Sequence, residues 1–235
     1  EYGEGEACPE GKGVRVMDPV RGGLEGMGQT LILNGLEVIA YNINRQITNI
    51  KTFEYGSVYS FDPETDGKTL ASYEEHTCFA LFMSGQPDKS WRVDPGKGSY
   101  FQLKGYLELL LKRFGCDIYS LETAAAPADL FSEGLSYALP GSHQPLAVMG
   151  TVAPARLKQF GIKQPVFAAE ISWPALFELV RRNKIKYKEL PKFPEVRRDL
   201  AILLDESVSY ADLRKSAFRV GKKLLKQVGL FDVYR

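Results

Sequence analysis

The stretch Lys51–Phe61 reads KTFEYGSVYSF and is dense in aromatic and β-branched residues. Such residues favour β-strands, and Gly56 within the run permits a bulge or a close neighbour. The sequence DPETDG at 62–67 has the composition of a turn, and the apolar run Thr77–Met83 follows it. We therefore predict that these two runs are antiparallel neighbours in a sheet.

Two segments around this pair of strands have helical periodicity. Apolar residues fall roughly on one helical face between Gln29 and Arg45, and they recur more regularly in Ser99–Phe114. Gly115 then stands at a position that often ends a helix. Most of the apolar residues of both helices are expected to be buried within their own domain.

Further patterns place more strands and helices in the first three quarters of the chain. They predict strands at Val14–Met17, Leu135–Leu139, Leu146–Val152 and Val166–Ile171, and helices at Pro154–Phe160 and Trp173–Arg182. The order lacks the regular strand–helix alternation of a doubly wound parallel sheet. We predict an α+β fold with an antiparallel sheet flanked by helices.

A charged segment with two prolines, NKIKYKELPKFP at Asn183–Pro194, predicts a domain boundary. We therefore divide the chain into a module at 1–185, a linker at 186–192 and a second unit at 193–235.

The second unit has the pattern of a partial βαβ arrangement. It predicts a strand at Arg198–Leu204, a helix at Ser209–Leu225 and a strand at Val228–Tyr234. Ser209 or Ser207 can cap the helix, with Asp212 completing a capping box. A unit of roughly 40 residues buries too little surface to be stable alone, so we expect either a truncated domain or one that leans on the first module.

Charge is distributed unevenly along the chain, although its net value is +1. Residues 1–180 hold 15 basic and 22 acidic side chains, a net charge of −7, whereas residues 181–235 hold 15 basic and 7 acidic ones, a net charge of +8. A basic end on a mildly acidic body is typical of a protein that meets phosphates at that end. A solvated lysine-rich helix face gives the same pattern, so charge alone leaves both interpretations open.

No catalytic or metal-binding motif occurs in the sequence. The three cysteines are far apart without a CxxC pair, and the two histidines lack HExxH-type spacing. The GKG sequences at 11–13 and 96–98 do not continue as phosphate-binding loops, and there is no GxSxG motif. These observations argue against metal-dependent, nucleotide-hydrolysing and serine-hydrolase chemistry.

The sequence also gives no membrane signal. No stretch reaches the roughly 18 to 20 consecutive apolar residues of a membrane helix, and the acidic, glycine-rich segment 1–10 does not resemble a signal peptide. We expect a cytoplasmic protein without membrane contact.

Two blocks near the C-terminus resemble a known domain. They are KFPEVRRDLAILLDESVSYADL at Lys192–Leu213 and LFDVYR at Leu230–Arg235. Both resemble the opening of the ferredoxin-fold anticodon-binding domain in bacterial phenylalanine–tRNA ligase beta subunits. The residues that match the family pattern are Phe193, Pro194, Arg198, Asp199, Leu200, Leu230, Phe231, Asp232 and Tyr234.

The first module resembles the catalytic-like module of the same family. The matching residues, in chain order, are Asp18-Pro19, Met27, Thr30-Leu31, Asn42–Arg45, Phe53–Gly56, Ser132–Tyr137, Gly150, Pro154, Gln164–Phe167 and Glu170. The chain departs from the family's Asn-Pro-Leu-Ser and Met-Arg sequences at Asp18–Arg21 and Met27-Gly28, so no function is assigned to that stretch.

The resemblance implies a class II synthetase fold that has lost its chemistry. An active class II site needs an arginine on its motif 2 strand and a glycine-rich helix start with a second arginine, because the phosphates of ATP must be neutralised. Here the motif 2-like strand reads FEYG at Phe53–Gly56, and Ser172–Pro174 replaces the glycine loop. We expect no catalytic residue, metal or cofactor in this chain, whereas ATP and Mg²⁺ are implied for the whole ligase.

The resemblance also implies partners, namely tRNA(Phe) and a catalytic alpha subunit in an α2β2 heterotetramer. The candidate tRNA-binding residues are Arg197, Tyr210, Arg214, Lys215, Arg219, Lys222 and Lys223. Lys226 could add charge and Phe231 a stacking surface, whereas Arg198 beside Asp199 is expected to form a structural ion pair or a contact at the end of a strand. Two alternatives stay open: a free-standing protein-interaction module without an RNA role, and an independent ligase-like enzyme.

Overall fold

A computed structural model of the protein describes residues 11–16, 26–65, 67–86, 91–92, 96, 98–142, 144–182, 187 and 193–234. The chain divides into a larger unit, Glu1–Lys184, and a smaller one, Ile185–Arg235. Of the proposed linker at 186–192 only Tyr187 is described, so the extent of the linker stays a prediction.

The larger unit is built on an antiparallel sheet, which within the described residues has six strands. The strands are β1 Ile50–Phe61, β2 Tyr73–Ser84, β3 Glu122–Ala125, β4 Phe131–Ala138, β5 Pro145–Val152 and β6 Val166–Ser172. Their order across the sheet is β1-β2-β6-β5-β4-β3, and every neighbouring pair is antiparallel. The predicted α+β class and the predicted pairing of the first two strands are confirmed.

Helices of the larger unit lie close to where the sequence predicts them. They are α1 Leu31–Ile43, α2 Tyr100–Arg113, α3 Pro154–Gln159 and α4 Trp173–Arg182. The Thr30 side chain caps α1 by accepting a hydrogen bond from the Ile32 N–H, and Ser99 caps α2 in the same way. Gly115 ends α2 with a φ of +78°, a conformation that glycine adopts without strain.

The sheet separates two apolar layers, because successive side chains of a strand point to opposite faces. Cys78, Ala80 and Phe82 of β2 lie in the layer that contains α1. Met83 of β2 lies in the opposite layer with α2 and α4, where Leu103, Leu107 and Leu111 of α2 are buried. Some apolar residues of these helices stay exposed, including Tyr41 of α1 and Leu109 of α2.

Parts of the larger unit differ from the sequence-based prediction. Strand β3 is not predicted from the sequence, because its four residues, ETAA, are all exposed and do not alternate between apolar and polar. Strand β4 begins at Phe131 rather than Leu135, and its first half is polar and irregular in register. Instead of a strand at Val14–Met17, the described residues form one isolated bridge between Arg15 and Gly26. Met17 lies outside the described residues.

The smaller unit has one helix among its described residues, α5 Tyr210–Gly221. The strands predicted at Arg198–Leu204 and Val228–Tyr234 are wrong, since no described residue there joins a β-ladder. Their composition favours an extended backbone, but a strand also needs a neighbour to bond with, and a sequence pattern does not supply one. Accordingly, Leu203 is fully exposed.

Candidate nucleic-acid interface

Helix α5 begins with a capping arrangement that the sequence predicts. The Ser209 hydroxyl donates to Asp212 Oδ2 at 2.6 Å and accepts from the Asp212 N–H at 3.2 Å. Ser207, the other candidate cap, instead hydrogen-bonds Asp205 in the preceding turn and lowers the pKa of that carboxyl. The helix ends before the predicted Leu225, because Lys222 adopts a φ of +45°.

Two of the candidate tRNA-binding residues lie on the half-buried face of α5. The Tyr210 hydroxyl donates to the Val228 carbonyl at 3.1 Å, which ties the helix to the segment that follows it. The Arg214 guanidinium lies 4.7 Å from the centre of the Phe218 ring. Both side chains contribute to packing within the unit, and a contact with tRNA by either one stays a prediction.

Four other candidates are exposed cations in α5 or in the turn directly after it, and we call them the basic face: Lys215, Arg219, Lys222 and Lys223. Lys215 and Arg219 are four residues apart and therefore neighbours on one side of α5. Lys222 and Lys223 follow in the turn that ends the helix. Within the described part of the chain none of these four side chains forms an ion pair, so their charges are available to a ligand. The exposed Lys226 extends this charge along the chain.

Arg197, the last candidate, precedes α5 in an irregular segment. Its Nε atom lies 3.9 Å from Asp199 Oδ1, and its side chain is 88% exposed. The ion pair expected between Arg198 and Asp199 is thus formed by Arg197 instead. Such an exposed pair is weak, since water competes for both charges.

In the larger unit, aromatic rings fill the junction between β6 and α4. The ring centre of Trp173, the first residue of α4, lies 5.3 Å from that of Tyr55 and 6.0 Å from that of Phe114. Phe177, one turn later, lies 5.9 Å from Trp173. The junction between β6 and α4 is therefore packed with uncharged rings.

The carboxylate of a half-buried residue, Glu170, occupies the N-terminus of α1. Glu170 of β6 accepts hydrogen bonds from the Thr30 hydroxyl at 2.9 Å and from the Leu31 N–H at 2.6 Å. Burial raises the pKa of Glu170, the two hydrogen bonds oppose that rise, and the charge of Glu54 adds to it. A helix N-terminus attracts anions, and here the chain's own carboxylate fills the position. No sequence motif reveals this contact, because its partners are 140 residues apart.

Other reactive groups are buried or scattered. Burial raises the pKa of Cys78 to about 12 and also raises that of Cys116, so neither thiol is a nucleophile near neutral pH. Over the described ranges no three His, Cys, Asp or Glu side chains come together in a way that could hold a metal ion. Nor does that part of the chain contain a helix long and apolar enough to span a membrane.

Two family models match the chain. Residues 2–173 match the phenylalanyl tRNA synthetase beta chain CLM domain, and residues 191–235 match the ferredoxin-fold anticodon binding domain. The ferredoxin-like character of the smaller unit therefore rests on sequence similarity, since its described residues contain only α5 as regular structure.

Three curated relatives that match nearly the whole chain are all phenylalanine–tRNA ligase beta subunits. The chain is 39% identical over 232 residues to a phenylalanine–tRNA ligase beta subunit of Bacteroides fragilis, and 41% identical over 224 residues to that of Bacteroides thetaiotaomicron. It is 37% identical over 237 residues to that of Porphyromonas gingivalis. These matches cover 94% to 99% of the chain, which spans only 27% to 29% of the relatives' length.

A solved structure has a similar fold. The pyrrolysyl-tRNA synthetase of Desulfitobacterium hafniense superimposes with a TM-score of 0.50 at 15% identity, over 72% of this chain and 53% of that one. At this low identity the likeness concerns the fold alone, and it agrees with the synthetase-like sheet expected from the sequence.

Proposed function

Because the chain belongs to the phenylalanyl tRNA synthetase beta chain family, we propose that it is a non-catalytic part of a phenylalanine–tRNA ligase beta subunit. In this role the larger unit supports assembly with the catalytic alpha subunit, and the smaller unit helps to bind tRNA(Phe) for aminoacylation. The complete ligase is a cytoplasmic heterotetramer of two alpha and two beta subunits. It binds ATP and Mg²⁺ outside this chain.

The observation that carries the proposal is the basic face of α5. Its four exposed cations lie within the region that matches an anticodon binding domain. Lysine and arginine side chains on one surface neutralise backbone phosphates and position a nucleic acid without reading its sequence. The basic face therefore suits a supporting contact with the tRNA backbone.

The charges of the larger unit support the non-catalytic part of the proposal. Glu54 stands on the motif 2-like strand where an ATP-binding site needs positive charge. Glu170 adds a second carboxylate near it, since the charge of Glu54 affects the pKa of Glu170. The two carboxylates disfavour the triphosphate of ATP on their face of the sheet, and the uncharged rings on the opposite face supply no positive charge to hold it.

Binding of tRNA(Phe) to the chain tests the proposal. Replacing Lys215, Arg219, Lys222 and Lys223 together by alanine removes the exposed charge but leaves the packed residues Tyr210 and Arg214 in place. We expect tRNA affinity, measured by fluorescence anisotropy at low salt, to fall on the order of ten- to a hundredfold.

A charge-matched variant serves as the control. Lys68, Lys112, Lys158 and Lys163 are exposed lysines of the larger unit, and their replacement by alanine removes the same charge from a different surface. Affinity should change less than about threefold in this control. Equal losses in the two variants, or no loss in the first, would favour the interaction module without an RNA role.

A further inference from the structure

Strand β1 forms one edge of the sheet, so only one of its sides bonds to a neighbouring strand. Backbone groups of alternate residues in an antiparallel strand point to opposite sides. The backbone groups of Tyr59 and Phe61 point to the outer side of β1, because their N–H groups donate to the carbonyls of Gly28 and Lys12, each at 2.9 Å. Lys12 and Gly28 thus cover this end of the edge.

The middle of the same edge is open among the described residues. β1 pairs with β2 in uninterrupted register. The backbone N–H and C=O groups of Phe53, Tyr55 and Ser57 therefore point away from β2, like those of Tyr59. No other described residue bonds to their outward N–H and C=O groups. An open row of this kind is a template for an added strand.

Aromatic side chains flank the open edge on one face of the sheet. Phe53 and Tyr55 are 70% and 57% exposed, which is unusual for rings in the middle of a long strand. They are continuous with the interior, since Phe53 lies 5.8 Å from Phe79 and Tyr55 lies 5.3 Å from Trp173. Beside Phe53 runs a groove of about 240 Å³, whose apolar lining includes Leu81, Met83, Leu103 and Tyr106.

The opposite face of the edge carries a negative charge without a cationic partner. Glu54 is half-buried, and its Oε1 atom lies 3.8 Å from the position that a Cβ atom would take at Gly56. None of the described residues forms an ion pair with Glu54. The nearby Glu170 carboxylate is repelled by Glu54, which raises the pKa of Glu170. A positive side chain would relieve this repulsion.

We infer that an extended segment of the catalytic alpha subunit adds to the sheet as a strand beside Phe53–Ser57. Its backbone bonds to the outward groups of β1, its apolar side chains pack on Phe53 and Tyr55, and a basic side chain faces Glu54. Successive side chains of a strand point to opposite faces of the sheet, so a segment that alternates apolar and basic residues can meet the rings on one face and Glu54 on the other. The choice of the alpha subunit as partner rests on the proposed function.

Proline at Ser57 tests the backbone contact. The Ser57 N–H points outward and is not used by β2, so a proline there is tolerated by the sheet but blocks an added strand. Ser57→Ala is the matched control because it removes the same hydroxyl and keeps the N–H. We expect affinity for the alpha subunit, measured by titration and by sizing of the complex, to fall at least about tenfold for Ser57→Pro and less than about twofold for Ser57→Ala.

Charge reversal tests the side-chain contact independently, and it stays informative if Ser57→Pro fails to fold. Glu54→Lys should weaken the complex at least about tenfold, whereas Glu75→Lys, an equal change at an exposed position of β2, should leave it within about twofold. Circular dichroism and thermal melting of each variant verify that the sheet is intact.

The outcomes separate the two levels of the proposal. If Ser57→Pro and Glu54→Lys both bind the alpha subunit with unchanged affinity, the edge of β1 is not the docking site, although the two subunits still assemble. If the unaltered chain does not associate with the alpha subunit at all, the assembly role fails and this inference fails with it. If the chain alone forms a dimer that Ser57→Pro disrupts, the occupant is a second copy, and the choice of the alpha subunit is wrong.

Discussion

Glu170 connects two distant parts of the chain through a few atoms. Its carboxylate joins β6 to the first turn of α1 by accepting from Thr30 and Leu31. A helix N-terminus leaves backbone N–H groups without partners inside the helix, so an acceptor at this point stabilises the helix start. The same carboxylate is largely removed from water, which penalises its charged form and raises its pKa.

This conflict predicts a pH dependence of stability. Because the pKa of Glu170 is raised in the folded protein, the contribution of the carboxyl group to stability is fully present below its unfolded pKa and declines as pH rises through the folded value. Glutamine keeps an acceptor for Thr30 and Leu31 and does not titrate. We expect urea unfolding between about pH 4 and pH 8 to show that, as pH rises, the free energy of unfolding of the unaltered protein falls relative to that of Glu170→Gln. A difference that stays constant or grows with pH would contradict the direction of the shift.

At the scale of the element, close packing of α1 on β2 depends on the absence of a side chain at Gly35. The Phe82 ring occupies the position where a Cβ atom at residue 35 would lie. In α2, by contrast, no heavy atom of the described residues lies within 4 Å of the Cβ position of Gly105, apart from the backbone of its own helix and its chain neighbours. Two helical glycines in one protein thus have different surroundings.

Alanine at these two positions should have opposite effects. Gly105→Ala is expected to stabilise the protein by about 0.5 to 1 kcal/mol, because alanine loses less backbone entropy in a helix. Gly35→Ala gains the same helix propensity but must displace the Phe82 ring, and it should destabilise the protein by about 1 to 3 kcal/mol. Thermal unfolding of both variants checks this. Stabilisation by both would show that α1 can move away from the sheet at little cost.

Elements are predictable from the sequence where burial imposes a period. Helix α2 has three fully buried leucines at helical spacing, and its bounds agree with the prediction within one residue at each end. Strand β3 has no buried residue and therefore no period to detect. For α5 the composition indicates the basic charge, but only the three-dimensional packing separates Tyr210 and Arg214 from the exposed cations. The contact between Glu170 and α1 is equally beyond prediction, because it depends on the topology of the whole sheet.

At the scale of the whole molecule, the charge distribution and the matched family models both distinguish a basic C-terminal region suited to tRNA from an acidic larger region. The segment 181–235 carries a net charge of +8 and residues 1–180 one of −7. A basic region favours encounter with a polyanion, and an acidic one disfavours it. We propose that the exposed cations of the basic face contact tRNA phosphates, as part of a ligase whose chemistry takes place outside this chain.

The salt dependence of tRNA(Phe) binding measures whether the basic face contacts phosphates. The logarithm of the affinity falls linearly with the logarithm of salt concentration, by roughly 0.7 to 0.9 for each phosphate neutralised. Comparing the unaltered chain with the variant that has alanine at Lys215, Arg219, Lys222 and Lys223 counts the contacts made by the basic face. We predict a slope shallower by roughly two to three in the variant, whereas equal slopes would contradict a phosphate-binding role for α5.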